Sequence, residues 1–141
     1  MTTTPLTKEQ IQKALTHSPF IASLGLEVTE VDPGSQQVTM RAVMRPEFER
    51  GARSGQWHGG PIAAIIDTVG DYALVMILGR PLPTINFRVD YLKPAVNTAL
   101  TIVGRVRRSG KSVGVVDIDV LDDAKSLVAI GRATYSTLPP G

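Results

Sequence analysis

The chain has no cysteine, only two histidines and few aromatic residues, which make up 5% of its 141 residues. Without cysteine it can form no disulfide and no thiolate metal site, and it has no cysteine nucleophile. Two histidines are too few for a multi-histidine metal centre. We therefore expect a protein that works without a metal and without a cofactor.

Long apolar runs, a leader and a strong charge bias are also missing. No apolar run reaches the ~18 residues that a membrane span needs, and the N-terminus lacks the basic and apolar regions of a secretory signal. The 15 basic and 13 acidic side chains leave a net charge of only +2, which by itself does not indicate nucleic-acid binding. The sequence predicts one soluble, cytoplasmic domain over residues 1–141, with no nucleic-acid or membrane partner.

The N-terminal third of the chain predicts a helix and a hairpin. Thr7 and Gln10 form the pattern of a capping box, so a helix is expected within residues 1–18, ending at Ser18-Pro19. Apolar residues then alternate on both sides of a Pro-Gly turn at 32–35, which predicts two paired strands. Residues 45–56 are rich in glycine and charge and are expected to form a loop.

A helix that is apolar on nearly every side is predicted from about Pro61 to Leu78. After this helix, apolar residues recur at every second position, which is the spacing of a strand. This pattern predicts four strands in a meander, over residues 84–93, 100–108, 111–121 and 126–136, before a tail at 138–141. This order predicts an α+β fold, with an antiparallel sheet packed on the long helix. One sheet around one helix leaves edges uncovered, and that favours a dimer.

Asp67 interrupts the apolar helix and is the first candidate for chemistry. Apolar neighbours would desolvate its carboxylate and make it a reactive base or nucleophile. The alternative is a structural Asp that pairs with an arginine such as Arg53 or Arg88. Asp71, one turn later on the same face, is expected to be a surface residue at the helix edge.

His58, Gly59 and Gly60 stand where the long helix should begin. Backbone N–H groups at a helix N-terminus are unpaired and carry the positive end of the helix dipole, so they could polarise a carbonyl under attack. His58 could orient a group, donate a hydrogen bond or act as an acid. The alternative is a simple tight turn with a structural histidine.

Gly59 and Asp67 cannot act on one carbonyl within a single subunit. Eight residues of helix separate them by roughly 12 Å at ~1.5 Å per residue, whereas catalytic groups must come within ~3 Å of their target. If both are catalytic, the glycine end of one helix must meet the Asp of another subunit. The functional hypothesis therefore predicts a site shared across a dimer interface.

Basic residues surround the Ser109-Gly110 turn. They could receive the phosphates of a nucleotide-bearing substrate, although a solvated hairpin end explains each of them equally well. The set is Arg105, Arg107, Arg108 and Lys111. The other histidine, His17, is expected to be solvated at the end of the first helix.

Several motifs together resemble the hotdog-fold thioesterases of the phenylacetate-degradation, or PaaI-like, type. The resemblance covers roughly residues 20–137, and its most specific part is His58-Gly59-Gly60 with Asp67 nine residues after the histidine. The other matching stretches are Thr84-Ile85-Asn86-Phe87, Asp90 to Ala95, Arg108-Ser109-Gly110-Lys111 and Ala129 to Tyr135.

The resemblance implies a hotdog fold, in which an antiparallel sheet wraps a long central helix, and dimers that often pair into tetramers. It implies hydrolysis of acyl-CoA or aryl-acyl-CoA thioesters. It assigns Asp67 as nucleophile or general base, the Gly59 N–H as oxyanion hole, and supporting catalytic roles to His58 and Thr84. Substrate contacts are expected from Gly60, Asn86, Arg108, Gly110 and Lys111.

Two positions depart from the family pattern. Many relatives have Asn where this chain has Ala52, and many have Asp where it has Asn86. A non-hydrolytic acyl-CoA-binding or sensing module is therefore an alternative function. A hotdog dehydratase is a third, although the placement of Asp67 within the helix fits thioesterases better.

Overall fold

The computed structural model describes residues 4–140, which form three α-helices and six β-strands. The helices are α1 (Lys8–Ala14), α2 (Pro19–Ser23) and α3 (Gly59–Leu78). The strands are β1 (Glu27–Asp32), β2 (Gln37–Ala42), β3 (Thr84–Tyr91), β4 (Leu100–Ser109), β5 (Val113–Leu121) and β6 (Leu127–Ser136).

The six strands form one antiparallel sheet in the order β1-β2-β4-β5-β6-β3. The predicted hairpin is confirmed as β1 and β2. The predicted four-strand meander is wrong in one place: β4, β5 and β6 follow one another, but β3 pairs with β6 and not with β4. Residues 92–99 contain a proline and are too long for a tight turn, so they carry the chain from one part of the sheet to another. Strand β3 therefore lies at a sheet edge.

The long helix α3 packs against β2 to β6 and supplies much of the core. It begins at Gly59, two residues before the predicted start, because the His58 side chain caps it. It ends at Leu78 and is capped by Gly79, whose φ of 73° lies in the left-handed region. Two glycines allow close contact between helix and sheet. A Cβ on Gly131 would lie 2.7 Å from Ile66, and one on Gly104 would lie 3.1 Å from the Val69 carbonyl oxygen.

The N-terminal segment contains two helices where one was predicted. The capping box of Thr7 and Gln10 is confirmed at the start of α1. Ser18 and Pro19 end that segment as expected, but the Ser18 hydroxyl also caps α2, and proline is favoured in the first turn of a helix. The same two residues therefore stop one helix and start the next.

By length and apolar composition alone, α3 could cross a membrane, but 56% of the most apolar 18-residue window is buried inside the domain. Its buried side chains include Ile65, Ile66 and Val69. Such burial is expected of a core helix in a small α+β domain.

Candidate active site

The Asp67 carboxylate is half-buried on α3 and is held by two neighbouring strands. The Thr84 hydroxyl on β3 donates a hydrogen bond of 2.8 Å to Asp67 Oδ1. The Tyr135 hydroxyl on β6 donates one of 2.7 Å to the Asp67 backbone carbonyl. Arg88 forms its ion pair with Asp90 instead, at 3.2 Å. Within residues 4–140 Asp67 makes no salt bridge, so the structural alternative of an Asp–Arg pair has no support there.

Asp71 is not the surface carboxylate that the sequence suggested. Its Oδ1 is buried and has no hydrogen-bond partner among the described residues. Burial, and to a smaller extent the charge of Asp67, raises the Asp71 pKa to about 7. The expectation was wrong because helix periodicity cannot show that α1 and α2 fold over this part of α3.

The N-terminus of α3 forms the second half of the candidate site. His58 is exposed, and its Nδ1 accepts a hydrogen bond of 3.4 Å from the Gly60 N–H. The Gly59 carbonyl accepts one of 2.6 Å from the Tyr91 hydroxyl. The Gly59 N–H is the first of the helix and has no acceptor among residues 4–140. A Cβ on Gly59 would lie 3.2 Å from the Tyr91 ring, whereas one on Gly60 would meet open space.

These two halves lie far apart within one chain. Gly59 contacts Tyr91 at one end of β3, and Asp67 contacts Thr84 at the other end. At ~3.4 Å per residue these two β3 residues are about 24 Å apart. One subunit therefore does not bring the Gly59 N–H to the Asp67 carboxylate, which agrees with the separation along the helix.

A cavity of about 400 Å³ opens beside His58 and Gly59. Two cationic residues, Arg50 and Lys93, line it together with Tyr91. Sequence reasoning gave none of these three a role. The stretch around Tyr91 and Lys93 was part of the family resemblance, but no pattern in the sequence predicts that it lies next to the start of α3.

The turn at 108–111 lies in line with Thr84 across the sheet. Ser109 pairs with Gly114, Gly114 with Tyr135, and Tyr135 with Thr84. At ~4.8 Å per strand, three strand spacings place the turn about 14 Å from Thr84. The Gly110 carbonyl accepts a hydrogen bond of 2.6 Å from the Thr137 hydroxyl.

The basic residues near this turn are not equivalent. Arg107 pairs with Asp117 at 3.5 Å, and Arg105 donates to the Gln37 side chain at 3.3 Å. Arg108 and Lys111 are exposed and are in no salt bridge among the described residues. These two remain available to an anionic ligand.

The two positions that depart from the family pattern are both exposed. Ala52 lies in the loop before α3, and Asn86 lies on β3, where it pairs in register with Thr134. Residues 4–140 hold no cluster of three or more His, Asp or Glu side chains placed to bind a metal ion.

Comparison with known proteins identifies the family of this arrangement. Residues 54–129, which contain the start of α3, Asp67 and Thr84, match the thioesterase superfamily model. The acyl-coenzyme A thioesterase PaaI of Escherichia coli is 30% identical over 111 residues, which cover 78% of this chain and 76% of PaaI. The medium/long-chain acyl-CoA thioesterase YigI of Salmonella typhimurium is 27% identical over 135 residues, covering 84% of this chain and 85% of YigI.

The fold agrees with these relatives. The solved structure of E. coli PaaI, from the phenylacetic acid degradation operon, superposes with a TM-score of 0.80 at 22% identity and covers 93% of this chain and 92% of its own. The antiparallel sheet and long helix of this chain are those of the hotdog fold, and this TM-score over nearly all of both chains shows that PaaI shares that fold. The chain therefore belongs to the thioesterase superfamily, with a hotdog fold of the PaaI-like type, and is a thioester hydrolase.

Proposed function

We propose that the protein hydrolyses acyl-CoA or aryl-acyl-CoA thioesters to the free acid and CoA. The observation that carries this proposal is the Asp67 carboxylate, half-buried in an apolar helix and bonded through one oxygen to the Thr84 hydroxyl. A carboxylate held in this way keeps one oxygen for chemistry. The named activities of the PaaI and YigI relatives support the choice of substrate.

Asp67 acts either as nucleophile or as general base. As general base it removes a proton from water while the water oxygen bonds to the thioester carbon, and the C–S bond then breaks to release the CoA thiol. As nucleophile its own oxygen bonds to that carbon, the C–S bond breaks to release the CoA thiolate, and water then hydrolyses the resulting anhydride to the free acid and the Asp67 carboxylate. In both routes Thr84 holds the carboxylate in place and helps to position the attacking water.

The Gly59 N–H stabilises the negative charge on the thioester oxygen. It is the first N–H of α3, so it is free of intrahelical bonds and lies at the positive end of the helix dipole. His58 supports this loop by accepting from the Gly60 N–H. One such donor contributes roughly 10²–10³ to the rate in other enzymes.

The site is completed by a second copy of the chain. Gly59 of one subunit meets Asp67 of the other, because the two are too far apart within one chain. Strand β3 offers a dimer contact, since it is a sheet edge with exposed Ile85 and Phe87. We expect a homodimer with two shared sites, and dimers that pair into tetramers.

The CoA moiety binds where exposed cations are found. Arg108, Gly110 and Lys111 receive phosphate groups on the Asp67 side, and Gly60 and Asn86 line the path of the substrate. The cavity beside Gly59 adds Arg50 and Lys93 from the other subunit. Because CoA thioesters are intracellular, the protein acts in the cytoplasm.

A panel of acyl-CoA substrates in a thiol-release assay tests this function. Asp67→Asn and Asp67→Ala should each lower kcat by at least ~100-fold on the best substrate. Asp119→Asn is the matched control, because Asp119 lies on the opposite face of β5 from α3. Single turnover in ¹⁸O-water separates the two routes, since only a nucleophilic Asp67 acquires the label.

A non-hydrolytic acyl-CoA-binding module is the alternative, favoured only by Ala52 at a position where many relatives have Asn. It predicts saturable binding of acyl-CoA with no thiol release from any substrate. That result would refute the hydrolase.

A further inference from the structure

A second cavity, also about 400 Å³, lies between the C-terminal half of α3 and the N-terminal helices. Its volume falls in the range of ~300–1,000 Å³ that is typical of small-molecule sites. Five of the eleven residues in its wall have aliphatic side chains: Leu6, Ala14, Ile21, Val75 and Pro81. We call it the α1–α3 cavity.

The polar groups of this wall are mostly occupied. Arg80 donates to the carbonyls of Thr137 and Leu138, at 2.6 and 3.1 Å. The Tyr72 hydroxyl donates to the Ala14 carbonyl at 3.4 Å. The guanidinium in the wall is thus already engaged, so the cavity is poorly suited to the phosphates of CoA. It contrasts with the cavity beside Gly59, where Arg50 makes no salt bridge among residues 4–140, although Lys93 there pairs with Asp122 at 3.6 Å.

The α1–α3 cavity begins one helical turn from the reacting carboxylate. Asp71 belongs to its wall and follows Asp67 by four residues on α3. Residues four apart share a helix face, and the rise between them is roughly 6 Å. An acyl group attached to a thioester carbon at Asp67 therefore reaches Asp71 first and then the apolar part of the cavity.

We propose that the α1–α3 cavity is the acyl pocket of this enzyme, that it takes a straight-chain acyl group of medium length, and that Asp71 forms its wall nearest the thioester. This inference rests on the proposed function. At ~30 Å³ for each water-sized unit, the cavity holds roughly thirteen units. If each carbon of the acyl chain takes one such unit, about thirteen carbons are the upper limit. A flexible chain does not fill a cavity completely, so the volume suits a chain of roughly eight to twelve carbons.

Asp71 should make the preference of this pocket for medium over short acyl chains depend on pH. Its pKa is about 7, raised by burial and by Asp67 on the same helix. The other titratable or charged groups around Asp71 are Tyr72, His17 and Arg80 in the wall, and Tyr135, which packs against this part of α3 from β6. An acyl chain that displaces the last water from Asp71 raises this pKa further. Binding of a medium chain therefore takes up a proton, and KM for that chain rises above pH 7 relative to KM for a short chain.

The test is to fill the cavity and measure chain-length preference. Ala14→Phe places a ring in the cavity wall, and Lys13→Phe is the matched control, with the same ring at the adjacent exposed position of α1. Each buried methylene is worth about fourfold in an equilibrium constant. A ring that displaces two methylenes should therefore lower kcat/KM for decanoyl-CoA by about 15-fold, while kcat/KM for butyryl-CoA stays within ~3-fold. Lys13→Phe should change neither.

Two further measurements keep the inference open to refutation. Ile21→Trp fills the cavity from α2 instead of α1 and should reproduce the loss if Ala14→Phe does not fold. Asp71→Asn cannot titrate, so the ratio of KM for decanoyl-CoA to KM for butyryl-CoA should become flat between pH 6 and 8.

The failure of the inference differs from the failure of the hydrolase proposal. Thiol release with an unchanged decanoyl-to-butyryl ratio in both filled variants would place the acyl group elsewhere and overturn the inference. If no thioester is hydrolysed, the proposed function fails. In that case the dissociation constants of non-hydrolysable decanoyl and butyryl thioether analogues of CoA test the acyl pocket. The cavity-filling variants should bind the decanoyl analogue more weakly than the wild type does and bind the butyryl analogue equally well.

Discussion

Subunit complementation is the sharpest test of a shared active site. Asp67→Asn removes the carboxylate from one half of the site. Gly59→Pro removes the N–H from the other half, and proline suits this first helical position because its missing N–H has no intrahelical partner. The preceding His58 has ψ of 152°, which is compatible with a following proline.

The expected recovery follows from the geometry. Each homodimer of one variant has two defective sites. A mixed dimer has one site with both defects and one site with neither, because each site takes Gly59 from one chain and Asp67 from the other. If equal amounts of the two variants mix at random, half of the dimers are mixed, so about one quarter of the wild-type sites are restored.

The assay is thiol release after the two variants are co-expressed, or unfolded together and refolded. Each variant alone should retain at most about 1% of wild-type kcat, and the mixture should recover about 25%. Gly59→Ala serves as control, since it adds a Cβ near Tyr91 but keeps the N–H. A mixture no more active than its parents would refute the shared site, as would a monomer with full activity.

Three other predictions use contacts described above. Thr84→Val removes the hydrogen bond to Asp67, worth about 0.5–1.5 kcal/mol, so kcat should fall roughly 2–13-fold in the same assay while KM changes little. Gly131→Ala forces a Cβ against Ile66 and should lower the free energy of unfolding by about 1–3 kcal/mol, measured by urea denaturation. The raised Asp71 pKa means that the folded state binds an extra proton between about pH 4 and 7. The Asp71 contribution to the free energy of unfolding therefore falls as pH rises through this window, by at most on the order of 4 kcal/mol. The urea midpoint should fall less with pH for Asp71→Asn than for the wild type. If the two midpoints depend equally on pH, the prediction is wrong.

Local patterns in the sequence were enough to predict most elements of the fold. The alternation around the Pro-Gly turn predicted the β1–β2 hairpin, and the apolar run after Pro61 predicted α3. Pairing partners were harder to predict. Apolar residues at every second position indicate that a segment is a strand, but they do not indicate which strand lies beside it. Strand β3 was therefore placed next to β4, whereas the structure pairs it with β6.

The candidate site also has features that local patterns predict and features that they do not. Asp67 and Gly59 were predicted from their chemistry and from the helix boundary, and the spacing between them predicts a shared site if both are catalytic. The burial of Asp71 could not be predicted, because the N-terminal helices, with Ala14 and Ile21, line the same cavity as Asp71 and no local pattern places them there. The position of Lys93 beside Gly59 depends on how residues 92–99 cross the sheet, and no local pattern encodes that path.

The hydrogen bonds of Arg80 have a consequence for the end of the chain. This guanidinium lies in the wall of the proposed acyl pocket and is held by the carbonyls of Thr137 and Leu138. A chain shortened to Ser136 would lose both acceptors and free one positive charge at the pocket. We expect such a chain to accept acyl groups that carry a carboxylate of their own, so the last few residues would act as a filter on the charge of the substrate.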